Sequence, residues 1–413
     1  MDVTLAIFIL VYVAMGVGHL PGFRLDRTGA ATVGAMVLIA AGQISPAAAW
    51  DAVDYRVIGL LFGLMTVSAA FAVAGFYDFV AGKIGGLNVG PKGLLAILIA
   101  VSGVMAALLN KDVVAVAMTP IFCAICIARR LNPLPFLLGL CFAANFASAA
   151  TLLGSPQNMI VAETLQLSFL GFMAAAAPPA VLSLPVVWSV IALCYRGRWA
   201  LTDTAQPPAV PQAAFIPAPL DRVEALKAGL VAVAVVSAFI FTDVPHMLIA
   251  LAGASVLLVS RRMESKSLLH HVDGDLLVLL FGLFVVNAAL TATGLPEQVL
   301  AGLRSIGVDL HDPQSMLIAM AVLSNIVGNN PAVMLAAPFI GGTSHPEALG
   351  AAIALGTGFS SSAVIFGSLV GIIVAEECRK RGIALSFAEF ARAGVPASLL
   401  CLLMAAAWIH HLG

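Results

Sequence analysis

The sequence predicts an all-α membrane protein, an inverted-repeat transporter with about ten transmembrane spans, two re-entrant hairpins and two broken helices. Three observations predict it. Of the 413 residues, 61% are hydrophobic and 10% are charged, where a soluble domain carries about 25% charge. The two halves repeat: LLFGLMTVSAAFAVAGF around Phe62 aligns without a gap on LLFGLFVVNAALTATGL around Phe281, 219 residues on. The same offset carries Asn110 of ALLNKDVVAVAMTPI onto Asn329 of IVGNNPAVMLAAPFI, and further on Gly154 of LLGSPQNMIVAE matches Gly367 of IFGSLVGIIVAE. Finally, polar residues interrupt apolar stretches at four matched places, as in duplicated transporters.

Taking about 20 apolar residues per crossing, spans are expected near 3–20, 29–48, 57–79, 134–171 (broken), 173–195, 228–243, 246–260, 275–296, 347–377 (broken) and 393–410. The stretches 93–128 and 315–340 are interrupted by Asn110-Lys111-Asp112 and by Gly328-Asn329-Asn330-Pro331. The arms of the second are too short to cross twice, so it reads as a re-entrant hairpin, and 93–128 reads the same way by its match.

The basic residues set the orientation. With the N-terminus outside, 17 of the 20 Lys and Arg fall on the cytoplasmic side, Arg56 and Arg304 fall outside, and Lys111 sits within the membrane. The span near 57–79 then runs inward and its repeat at 275–296 runs outward, which makes the repeats inverted. The chain divides into N-terminal scaffold spans (1–56), a first repeat (57–195), a Pro- and Ala-rich cytoplasmic linker (196–227), further scaffold spans (228–274) and a second inverted repeat (275–413). The expected location is the inner (plasma) membrane.

Other classes find little support. Six scattered Cys are no disulfide framework, and eight His in loops or at span ends offer no metal-ligand spacing. The absence of a phosphate-binding glycine loop and of a nucleophile elbow argues against an ATP-driven pump and against an intramembrane hydrolase. A net charge of −1 gives no footprint for nucleic acid. No enzyme activity, cofactor or metal is expected.

Backbone leaves helix geometry inside a bilayer only where it is buried or lines a cavity. The four interruptions therefore point to one site near the midplane, with half-helix ends aimed at it. The candidate substrate-binding residues are Asn110 at the first tip, Gly154, Ser155, Gln157 and Asn158 at the first break, Asn329 and Asn330 at the second tip, and Ser361, Gly367 and Ser368 at the second break. Lys111 and Asp112 are the candidate coupling residues, since an intramembrane charge pair marks an ion or substrate pathway. Glu163 and Glu376 read as interfacial, and Cys123 and Cys126 as packing thiols.

The set LLNKDVVAVAMTP, TLLGSPQNMIVAE, GNNPAVMLAAP and FGSLVGIIVAEE resembles the ion transporter superfamily, and within it most closely the arsenite permease and sodium/proton antiporter (ArsB/NhaD-type) branch. The resemblance covers roughly residues 50 to 410. It implies an elevator, in which a module of two hairpins and two broken spans slides against a fixed scaffold. It also implies a homodimer, and it leaves open a soluble ATPase subunit on the cytoplasmic face. Substrates across the superfamily include dicarboxylates, citrate, sulfate, silicon and arsenic oxyacids, and Na+. Where the dicarboxylate branch has Ser-Asn-Thr at both tips, this chain has Asn-Lys-Asp and Asn-Asn-Pro, which weakens a dicarboxylate reading. Lys111 stands where relatives often have a neutral residue. The expected function is efflux of As(OH)3 or Sb(OH)3 in exchange for protons. The alternatives are a cation-coupled transporter of a small inorganic or organic anion, with Lys111 as counter-ion, and a Na+/H+ antiporter with Asp112 as cation ligand.

Overall fold

The computed structural model describes residues 3–20, 22–201, 219–305, 307–383 and 385–412. Most of the 196–227 linker, from 202 to 218, lies outside the described residues.

Five helices open the first half: α1 (Val3–Val17), α2 (Arg27–Ala40), α3 (Pro46–Asp51), α4 (Tyr55–Val73) and α5 (Phe76–Gly85). Five open the second: α11 (Arg222–Phe241), α12 (His246–Leu258), α13 (Ser265–His270), α14 (Gly274–Thr291) and α15 (Leu295–Ser305). Each of the second five starts 219 residues after its counterpart (3 and 222, 27 and 246, 46 and 265, 55 and 274, 76 and 295). Local chemistry repeats with them. Asp54 caps α4 by accepting from the Arg56 amide, and Asp273 caps α14 by accepting from the Leu276 amide. Between α4 and α5 the chain turns at Gly75 (φ 73°), and between α14 and α15 at Gly294 (φ 69°), a left-handed conformation that favours glycine.

The two hairpins follow. The first is α6 (Pro91–Leu108) and α7 (Lys111–Ala128); the second is α16 (Pro313–Val327) and α17 (Asn329–Ala336). The broken spans are α8 (Leu134–Ala147) with α9 (Pro156–Leu165), and α18 (Pro346–Ser360) with α19 (Leu369–Lys380). Each half ends on a 26-residue helix, α10 (Phe169–Cys194) or α20 (Phe387–Leu412). Among the described residues seven helices are long and apolar enough to cross a membrane, and five shorter apolar helices accompany them. Both α6 and α7, at 18 residues, are among the seven, whereas α17 has 8 residues. At about 1.5 Å per residue only the second hairpin is kept from crossing twice by length alone.

Contacts repeat in mirrored pairs, as a pseudo-two-fold axis requires. The pair α12 and α4 packs as α2 and α14 do, α6 on α8 as α16 on α18, and α7 on α19 as α17 on α9. Helices are thus exchanged between halves: α2 of the first half lies on α14 of the second, and α12 of the second lies on α4 of the first. Glycine permits both crossings. A Cβ at Gly63 would stand 2.6 Å from the Ala250 backbone, and one at Gly282 would stand 2.7 Å from that of Ala31. Gly63 and Gly282 are the glycines of the two matched LLFGL runs.

Candidate functional site

At the first tip α6 ends, two residues turn, and α7 begins at Lys111. Asn110 takes a positive φ (38°) and its side-chain oxygen accepts from the Asp112 amide at 2.9 Å, capping α7. The Lys111 amide donates to the Gly154 carbonyl at 3.0 Å, which joins this tip to the first break. The Lys111 side chain is 3% exposed and its Nζ has no hydrogen-bond partner; neither has Asp112 Oδ1. No ion pair joins the two among the described residues. At the second tip Gly328 (φ 91°) makes the turn alone, and α17 begins at Asn329. One residue fewer turns here, so Asn110 stands opposite Gly328, and Lys111 and Asp112 stand opposite Asn329 and Asn330. The 219-residue register that pairs Asn110 with Asn329 shifts by one at the tips.

The two breaks share a backbone course. After α8 and α18 the chain makes a short turn, passes an extended residue (Thr151, Val364) and reaches an extended serine (Ser155, Ser368) at the start of the next half-helix. The glycine before each serine is required by space. A Cβ at Gly154 would lie 2.2 Å from the Ser148 carbonyl oxygen, and one at Gly367 would lie 2.8 Å from the Ser361 oxygen.

What differs is how freed carbonyls are satisfied. In the first break Asn158 donates through Nδ2 to the Ser148 and Thr151 carbonyls, both at 2.8 Å, and the Thr151 hydroxyl donates to the Ala107 carbonyl of α6. In the second, Gly371 replaces Asn158, with room for nothing larger: a Cβ there would sit 2.4 Å from the Ile365 carbonyl oxygen. Ser361 donates to the Gly358 carbonyl at 2.8 Å, as its counterpart Ser148 does to that of Asn145 at 2.9 Å, and Ser368 accepts from the Gly371 amide at 3.1 Å.

Asn145 of α8 ties the breaks together, donating to Ser362 at 3.2 Å and to Ser368 at 2.9 Å. The structure thus brings the first tip, the first break and the second break into one hydrogen-bonded cluster. Gln157 is buried in it. Asn329 and Asn330 share no hydrogen bond with the cluster among the described residues; their arm packs on α9. The sequence reading passed over three residues. Asn325 of α16 places its Oδ1 2.8 Å from the Cβ position of Gly367. Asn287 of α14 donates to the Met334 carbonyl of α17 and accepts from Tyr12 of α1. Arg27, at the start of α2, brings Nη1 to 3.9 Å from the Cβ position of Gly328. A polar residue one turn before a tip was the available signal for Asn325; Arg27 gave none, being indistinguishable from a loop charge.

Chemically, the interruptions leave buried acceptors without donors. The side-chain oxygens of Asn145, Asn158, Asn325, Asn329 and Asn330 and Asp112 Oδ1 are buried without hydrogen-bond partners, whereas the unpartnered donors there are Lys111 Nζ, Ser155 Oγ and Arg27 Nε. For Asn158 and Asn325 the amide orientation is fixed by chemistry, because their Nδ2 atoms donate to carbonyl oxygens.

The sequence model of the citrate transporter family (CitMHS) matches residues 8–356. The chain belongs to that family. It is 29% identical over 98% of its length to an uncharacterized transporter of Mycobacterium tuberculosis, covering 97% of that protein. Over 43% of its length it is 30% identical to a silicon efflux transporter of Oryza sativa subsp. japonica, 36% of which is matched. The YdaH transporter of Alcanivorax borkumensis has the same fold, with a TM-score of 0.56 over 99% of this chain and 98% of that one, at 16% identity. The protein is a multi-pass membrane transporter for a small molecule or ion, of the secondary type.

Proposed function

We propose that this citrate-family member exports a small uncharged hydroxyacid, As(OH)3 or Sb(OH)3 first among them, in exchange for protons by an elevator movement. The observation that carries the reading is the surplus of unpartnered buried oxygens at the interruptions over unpartnered donors. A buried acceptor without a donor is unfavourable by about 1–3 kcal/mol. A trihydroxy solute supplies three O–H donors and relieves several at once; an ionised carboxylate group supplies none. Asn110, Gly154, Ser155, Gln157, Asn158, Asn329, Asn330, Ser361, Gly367 and Ser368 are the proposed contacts, with Lys111 and Asp112 as the coupling pair. With the N-terminus outside, in the inner membrane, Arg27 and the second tip lie at the cytoplasmic end of α2. A homodimer fits the reading, and no ATPase subunit is needed for it.

A second reading has its own support. The Lys111 ammonium is buried without an acceptor, as the counter-ion of an anion such as citrate would be before substrate arrives. Uptake of arsenite, silicic acid and citrate into everted vesicles separates the two. Proton-driven arsenite uptake without citrate uptake is the expected result; citrate uptake alone overturns the first reading in favour of the second.

A further inference from the structure

A cavity of about 680 Å3 opens between the start of α2 and the second half's interruptions. Its lining includes Asp26, Arg27, Asn325, Val364 and Phe366. Two of these reach directly over interruptions, Arg27 over Gly328 and Asn325 over Gly367. Each has a buried atom without a partner, Nε of Arg27 and Oδ1 of Asn325. The Asn325 amide group is already donating to the Ala321 carbonyl at 2.8 Å, so the free atom is the acceptor. Arginine offers only donors. The same two residues therefore line one cavity and hold, just beneath its wall, a spare donor and a spare acceptor that a side-chain rotation would turn into it.

We infer that this cavity is a loading vestibule for a small hydroxyacid, in which one substrate hydroxyl accepts from Arg27 and another donates to Asn325 before the solute moves onto the second tip. The inference rests on the hydroxyacid reading and adds to it a site, a donor and an acceptor from outside the predicted set. Charge selects the class. Asp26 and Arg27 are the charged residues of the lining, one of each sign, so the vestibule carries no net charge. A polyanion would meet one cation and one like charge, while an uncharged hydroxyacid meets matched hydrogen-bonding groups. Gly367 acquires a second reason: a side chain there would crowd Asn325.

The test uses the purified full chain in nanodiscs, with arsenous, silicic and boric acids, citrate and sulfate as probes in a thermal-shift titration. The expected result is that at least one hydroxyacid stabilises the wild type. Arg27→Gln and Asn325→Leu should each weaken its apparent affinity about tenfold, the scale of one hydrogen bond to a charged or buried group. Arg27→Lys should recover part of the loss, and Arg24→Gln, at an exposed neighbour, should change nothing. Asn325→Leu should weaken binding even if Arg27→Gln folds poorly. Equal affinity in wild type and Asn325→Leu would overturn the vestibule, as would stabilisation by citrate or sulfate alone or by no probe. Arsenite flux in proteoliposomes separates the layers. Flux with an unchanged KM in Asn325→Leu removes the vestibule and leaves the transport reading. Hydroxyacid binding that depends on Arg27 and Asn325, with no arsenite flux, leaves the vestibule and removes arsenite as substrate.

Discussion

Asn158 shows how a helix can break inside a bilayer without leaving its backbone unsatisfied. Its two N–H groups are both spent on carbonyls that the break sets free, so it is part of the scaffolding of the site as much as a contact. Asn158→Ala is expected to leave two buried carbonyls unpartnered and to lower stability by about 1–3 kcal/mol for each, read as a lower thermal midpoint of the purified protein. Asn329 and Asn330 have free side-chain oxygens and partly exposed positions. Their alanine variants should keep the wild-type midpoint and lose transport; a reversed pattern would show that the second tip is the structural one. Lys111 poses the opposite case. A buried ammonium without an acceptor is a liability to the fold. Lys111→Met should therefore fold at least as well as wild type, while pH-dependent transport is lost. Retained pH-dependent transport in Lys111→Met would remove Lys111 from the coupling machinery.

At the scale of helices, the two LLFGL runs mark where helices of the two halves cross. Gly63 meets Ala250, and Gly282 meets Ala31, at backbone contact, the close approach that small residues allow between membrane helices. Gly63→Leu and Gly282→Leu should each force the crossing apart and sharply reduce folded protein. Gly82→Ala, where nothing lies within 4 Å, should be neutral or stabilise α5 by about 0.5–1 kcal/mol; equal loss of folded protein in all three would contradict the crossing. The repeat itself was legible in the sequence because these packing glycines and the breaks must recur wherever the same contacts recur. The exchange of helices between halves was not, because apolar faces of α2 and α12 carry no record of which neighbour they bury. The register at the tips was misread by one residue for a related reason. A turn of Leu109-Asn110 and a turn of Gly328 alone serve the same purpose, and only backbone geometry tells them apart. Asn145 and Asn325 could be noted as polar residues in apolar helices, but their partners lie hundreds or tens of residues away and follow from packing.

Taken whole, the molecule is a frame of exchanged helices around a cluster of interruptions, and an elevator would shear the contacts between the two. Asn287 to Met334, Arg27 beside Gly328, and Glu163 to His246 at 3.5 Å cross that boundary. Such a movement needs a coupling ion, and the tips constrain which one. A Na+ site at a hairpin tip would use carbonyls and Asn oxygens, and the unpartnered oxygens here would serve. At the first tip, however, the chain places Lys111, whose Nζ has no hydrogen-bond partner. Two unit charges about 4 Å apart repel by roughly 4 kcal/mol at an effective dielectric near 20, enough to weaken Na+ binding by about a thousandfold. Transport is therefore expected to be independent of Na+ and driven by proton exchange or membrane potential. Substrate flux in proteoliposomes with a Na+ gradient and no pH gradient should stay at background, and an imposed pH gradient should restore it. Lys111→Ala should relieve the repulsion and lose the pH response, whatever it does to the rate. Strong flux driven by Na+ alone in the wild type would mean that the ammonium does not face the ion path, and would favour an anion symporter in which Lys111 meets the substrate instead.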